Sequence, residues 1–254
     1  MYEVLLTALG VGGATVIGAL LGFIFKKPSH KMNDIILSFA AGVMLAAAVI
    51  GLVIPSLEYG GGNLISLLVT VAGIFCGAVC LNLIDKLVPH LHKLTGIDQE
   101  SHPDTAARID KVLLFVIAIA IHNLPEGIAA GVSFGSGNTM QAITVAGGIA
   151  LQNIPEGMVI IAPMIAAGMS RRRTFLIAFG TGVVEVIGTL IGYFAVSISN
   201  AILPFALAFA GGTMLYVISD EMIPETHAHG NERGATYSLL GGFALMLAFD
   251  FLLG

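Results

Sequence analysis

Charge is scarce in this sequence. Lys, Arg, Asp and Glu make up 11% of its 254 residues, against about 25% in an ordinary soluble domain. Hydrophobic residues make up 56%, and the mean hydropathy is +0.93. These values exclude a water-soluble globular domain; the lipid bilayer is the expected surroundings, and no nucleic-acid partner is expected. Cysteine is almost missing too. Cys76 and Cys80 stand one turn apart in an apolar run, a spacing that suits neither a disulfide framework nor a thiolate metal site. They read as buried small residues. The first apolar run lacks a basic start and is long enough to span, so it reads as a helix that stays rather than a cleaved signal. The apolar runs are continuous instead of alternating, which excludes a membrane β-barrel.

What the chain does have is eight runs long enough to cross a bilayer as helices, each needing about 20 mostly apolar residues. They fall at 2–25, 34–57, 63–87, 110–134, 139–168, 173–196, 200–222 and 234–253. The predicted fold is an all-α polytopic membrane protein forming one transmembrane domain, residues 1–254. Its basic residues are Lys26, Lys27, Lys31, Lys86, Lys93, Arg108, Lys111, Arg171, Arg172, Arg173 and Arg233. All lie in or beside the links after the first, third, fifth and seventh runs; the other links and both ends have none. Cytoplasmic links carry the Lys/Arg excess. Both ends are therefore expected outside, with the fourth and sixth runs going outward and the fifth inward.

Two of the longest runs contain polar islands. Residues 121–127 read Ile-His-Asn-Leu-Pro-Glu-Gly and residues 151–157 read Leu-Gln-Asn-Ile-Pro-Glu-Gly. Residues three and four apart on a helix share a face. His122, Asn123 and Glu126 thus address one point, as do Gln152, Asn153 and Glu156. Pro125 and Pro155 have no N–H and crowd the carbonyl four residues back, which predicts a kink beside each island. The charge map makes the two helices antiparallel, a pseudo-symmetric proline-kinked pair with facing motifs. At 1.5 Å per residue, His122 lies about 16 Å beyond Lys111, Glu185 about 18 Å beyond Arg173, and Gln152 about 21 Å inward of Asn138. Each is near the middle of a ~30 Å hydrocarbon core.

Glu185 is the lone ionisable residue inside the sixth run. With Glu126 and Glu156 it makes three mid-depth carboxylates, and no Lys or Arg lies at that depth to balance them. Uncompensated charges are very costly away from water, so protons or bound cations must neutralise these. One imidazole, carboxylates and amide oxygens suit zinc, manganese or iron(II) better than soft copper(I). Buried carboxylates also occur in a proton-coupled carrier of a non-metal solute, where they relay protons, and in an intramembrane metalloenzyme; both functions stay open. The metalloenzyme would need paired histidines around a glutamate on one helix, and that motif is missing. No catalytic residue and no catalytic cofactor is expected. A further candidate, a metal exit at the cytoplasmic mouth, comprises His90 and His92 in the polar link 88–109 together with Asp220, Glu221, Glu225, His227 and His229 after the seventh run. Glycines four apart, Gly18/Gly22, Gly73/Gly77 and Gly188/Gly192, predict close helix packing; such faces also allow a homodimer.

At the twin motifs the chain resembles the ZIP (Zrt-/Irt-like protein) family of divalent metal transporters, in its bacterial branch, and the likeness covers essentially the whole chain. The resemblance implies eight helices and a binuclear centre between the fourth, fifth and sixth. One metal would be held by His122, Glu126, Gln152 and Glu156, the second by Asn123, Glu126, Asn153, Glu156 and Glu185. It implies inward transport across the bacterial inner (cytoplasmic) membrane, with one helix bundle moving against another. It also points to Glu58 as an entry residue and Met44 as a pathway residue. Some relatives open the second motif with His, or place Asp second; here Gln152 and Asn153 stand there. That widens the expected cargo from zinc to iron, manganese, cobalt or cadmium.

Overall fold

The computed structural model describes residues 1–24, 29–87 and 120–253, and every regular element among them is helical. Helix starts are set by side chains that satisfy orphan backbone donors. Ser29 accepts from the N–H of Met32, Asn138 from that of Gln141, and Ser170 from that of Arg173. The elements are α1 (Tyr2–Ile24), α2 (His30–Ala46, then Ala47–Val53 and Ile54–Tyr59), α3 (Leu64–Leu87) and α4 (residues 120–133). They are followed by α5 (Thr139–Val159, resuming as Ile161–Ala166), α6 (Arg171–Ile198), α7 (Leu203–Val217, Ile218–Met222 and Ile223–Thr226) and α8 (Glu232–Leu253). Among the described residues, seven helices are long and apolar enough to cross a membrane. The fourth predicted run, 110–134, is described only from residue 120, where it is helical. The link 88–109, with His90 and His92, lies outside the described residues. The large side chains facing outward are apolar, for example Leu64, Phe75 and Phe251, as a bilayer requires. The chain is a multi-pass membrane protein.

Two helices widen in mid-course. Ala47–Val53 in α2 and Ile218–Met222 in α7 are π-helical, and each is followed by an Ile-Pro step, Ile54-Pro55 and Ile223-Pro224. A proline N cannot bond the carbonyl four residues earlier. The residue before it instead bonds five back: the N–H of Ile54 reaches Val49 and that of Ile223 reaches Ile218. Pro155, by contrast, lies inside an α-helical stretch that runs on to Val159.

The helices pack in two groups. α1 lies against α5 and α6, while α2 pairs with α8 and α3 with α7. α4 joins the first group through glycine. A Cβ on Gly127 or Gly131 would strike the carbonyls of Glu185 or Thr189 on α6, and one on Gly188 or Gly192 those of Leu124 or Ile128 on α4. The predicted pairs Gly18/Gly22 and Gly73/Gly77 likewise lie against neighbouring backbone. The main seam between the groups is α2 against α5, filled by Met44, Leu52, Val145 and Ile149.

Candidate metal centre

The three carboxylates and their amides gather where α1, α4, α5 and α6 meet. Glu126, Gln152, Asn153, Asn123 and Glu185 are each at most 2% exposed. Asn123 and Glu126 share a face of α4, and Gln152, Asn153 and Glu156 project from α5, as their spacing dictates. The amides donate to the acids. Gln152 Nε2 donates to Glu126 Oε1 at 2.9 Å. Asn153 Nδ2 donates to Glu185 Oε2 at 2.6 Å, and Asn123 Nδ2 donates to Glu185 Oε1. A side chain from α1 completes the set: the Thr15 hydroxyl donates to the same Oε1 at 2.5 Å.

Because the amide nitrogens are turned to the acids, their oxygens are not. Asn123 Oδ1, Gln152 Oε1, Asn153 Oδ1 and Glu126 Oε2 are buried without a hydrogen-bond partner. Most buried polar atoms find partners, so four orphaned acceptors in one cluster call for a donor or a cation. Among the described residues no lysine or arginine is buried. The neighbouring charges do not help: Glu126 feels Glu156 and Glu185.

The centre is sealed on one side and more open on the other. His122 and Glu156 are half-buried. His122 Nε2 stands 2.9 Å from Glu221 Oε1, and Glu156 has His122 and Glu221 as its charged neighbours. Glu221 gets there by way of the widened turn of α7. Among the described residues no three His, Cys, Asp or Glu side chains form a group able to hold a metal by themselves. The reason is visible: amides and Thr15 occupy Glu185, and His122 is turned to Glu221. A metal here would be held by carboxylates and amide oxygens together, with the amides rotating to present oxygen.

The sequence pattern of the ZIP zinc transporter family matches residues 89–250. The chain belongs to the ZIP family. It is similar to the zinc transporter GufA of Myxococcus xanthus, with 42% identity across 98% of each chain. It resembles the zinc transporter ZIPB of Bordetella bronchiseptica at 38% identity, over 100% of this chain and 82% of that one. The zinc transporter ZupT of Chlorobaculum parvum is 36% identical over 92% of this chain and 91% of that one. These relatives are named as transporters, not enzymes, and divalent-metal transport is the function that membership supports.

The other candidates of this ZIP chain fall in different places. Glu221 joins the centre through His122. Asp220 is exposed and Glu225 half-buried. His227 closes the end of α7: its Nδ1 lies 2.8 Å from the Ile223 carbonyl and its Nε2 3.2 Å from Thr236 Oγ1. His229 turns to α2, with Nδ1 3.0 Å from Asp34 Oδ1 and its ring stacked on His30 at 4.9 Å. Met44 is buried in the seam core, and Glu58 is exposed near the end of Ile54–Tyr59. Thr15 was not foreseen. Its sole sequence signal is a hydroxyl in the middle of an apolar run.

Proposed function

We propose that this chain carries divalent transition metal into the bacterial cytoplasm through the centre formed by His122, Asn123, Glu126, Gln152, Asn153, Glu156 and Glu185. Zinc is the first cargo, as the names of the relatives indicate; iron, manganese, cobalt and cadmium fit the same donors. The observation that carries this reading is the set of four orphaned oxygens, three from amides and one from Glu126 itself, at the three carboxylates, with no lysine or arginine buried among the described residues. One ion takes His122, Glu126, Gln152 and Glu156, and a second takes Asn123, Asn153 and Glu185 with Glu126 and Glu156 shared. Amide oxygens bind without adding charge, which keeps the ions loose enough to leave. Glu221, beside His122, receives the departing ion on the side that the positive-inside pattern makes cytoplasmic.

The test is radiometal uptake into vesicles containing the purified protein. The Glu126→Ala/Glu156→Ala double variant is expected to lose saturable uptake; unchanged uptake removes the site assignment. Acid should act in the same direction. Metal ligands must be deprotonated, so protons compete with the ion, and uptake is expected to fall as external pH is lowered from about 8 to about 5, the window in which imidazole also titrates. A flat profile would rule out proton competition.

A further inference from the structure

Away from the metal centre, a cleft opens between the last turns of α1 and the first turns of α6. Its volume is about 370 Å³, and Leu20, Phe23, Phe175, Arg171 and Arg172 line it. The apolar wall is built into the fold. Phe23 packs on the buried cluster of Ala19, Ile160, Ile161, Met164 and Ala178, and Phe175 stands 6.4 Å from Phe179. Leu20 and Phe23 are three residues apart, and Phe175 is four and three residues beyond Arg171 and Arg172, so each set shares a helix face. The two arginines therefore border a shallow, open apolar depression formed with Leu20, Phe23 and Phe175. Arg171 and Arg172 are exposed, and among the described residues neither meets a carboxylate.

We propose that this cleft binds an anionic phospholipid of the cytoplasmic leaflet. Its phosphate sits on Arg171 and Arg172, and one acyl chain lies along Leu20, Phe23 and Phe175. Charge complementarity selects this occupant. Guanidinium forks bind phosphate oxygens in pairs, and basic pockets between membrane helices on the cytoplasmic side take acidic head groups. A free phosphate has no use for the apolar wall, and a zwitterionic lipid lacks the net negative charge. Thr15 on α1 and Glu185 on α6 touch one another at the metal centre, so a lipid clasping the inner ends of the same two helices supports that contact from a distance.

Native mass spectrometry of the full chain, offered equal phosphatidylglycerol and phosphatidylcholine, tests this. Wild type is expected to retain phosphatidylglycerol in preference. Arg171→Gln/Arg172→Gln is expected to lose that preference by about fivefold per arginine. Arg233→Gln, an exposed arginine at the start of α8 outside the cleft, is expected to keep it. Equal retention of both lipids by wild type overturns the proposal, as does an equal loss in Arg233→Gln, which would mean diffuse surface charge. A second measurement needs no variant: phosphatidylglycerol added to phosphatidylcholine micelles is expected to raise the Tm of wild type. A rise produced by inorganic phosphate and not by phosphatidylglycerol would make this a free-anion site and overturn the lipid assignment.

Discussion

Thr15 shows how much a single hydroxyl adds to the centre. It donates to Glu185 Oε1 from a helix that contributes no metal ligand, and so fixes where that carboxylate points. Partners of metal ligands typically matter by roughly 10–100-fold in metal affinity. Thr15→Val keeps the shape and removes the donor. Its KM for metal uptake is expected to rise at least roughly tenfold, while Thr15→Ser stays near wild type. If Thr15→Val shows the wild-type concentration dependence, the hydroxyl only packs. The contrast with His122, Asn123 and Glu126 shows which contacts were legible in the sequence. Their shared face follows from spacing along one helix, and the twin motif on α5 repeats it. Thr15 and Glu221 reach the centre from α1 and α7, 170 residues from Glu185 in the first case, and no local pattern encodes a contact at that separation.

At the scale of elements, the existence of the helices was legible because a bilayer demands long apolar runs; their ends and internal widening were not. α2 begins at His30 instead of 34 because Ser29 caps it, and α7 continues to Thr226. The π-helical turns arise from Pro55 and Pro224, and they matter because one of them brings Glu221 to His122. The distance between helices is controlled by glycine. A Cβ on Gly157 of α5 would strike the Thr15 carbonyl of α1, whereas one on Gly147 of the same helix would meet nothing within 4 Å. Overpacking typically costs about 1–3 kcal/mol, and in a chain of this size each kcal/mol lowers Tm by about 2–4 °C. Gly157→Ala is therefore expected to lower Tm in detergent by roughly 5 °C and to weaken uptake, because α1 is pushed off Glu185. Gly147→Ala, which improves helix propensity, is expected to leave both unchanged. Equal behaviour of the two variants would refute the close-approach account.

For the whole molecule, the question is whether the two helix groups move against each other. The proposed metal centre is built from α1, α4, α5 and α6, and it meets the other group at Glu221 of α7, which lies beside His122 and is a charged neighbour of Glu156. The seam between α2 and α5 is lined by alanine, glycine, aliphatic side chains and Met44, a surface that offers few polar bonds to break during sliding. A centre that must face each side of the membrane in turn can then be carried by its own group, with α2 and α5 as the sliding surfaces. The seam supplies its own test. A Cβ built on Gly51 of α2 would lie 3.6 Å from Val145 Cβ on α5, within the roughly 3.5–4.5 Å that a disulfide requires. Gly51→Cys/Val145→Cys, made in a Cys76→Ser/Cys80→Ser background so that no native thiol competes, is expected to crosslink on oxidation. Radiometal uptake is then expected to fall at least about tenfold and to return on reduction, since a helix group tied to its neighbour can no longer slide to expose the centre to both sides. Full uptake by the oxidised, quantitatively crosslinked protein would mean that α2 and α5 stay together throughout the cycle, and access would have to alternate by rearrangement within the α1–α4–α5–α6 group, beginning at the half-buried His122 and Glu156.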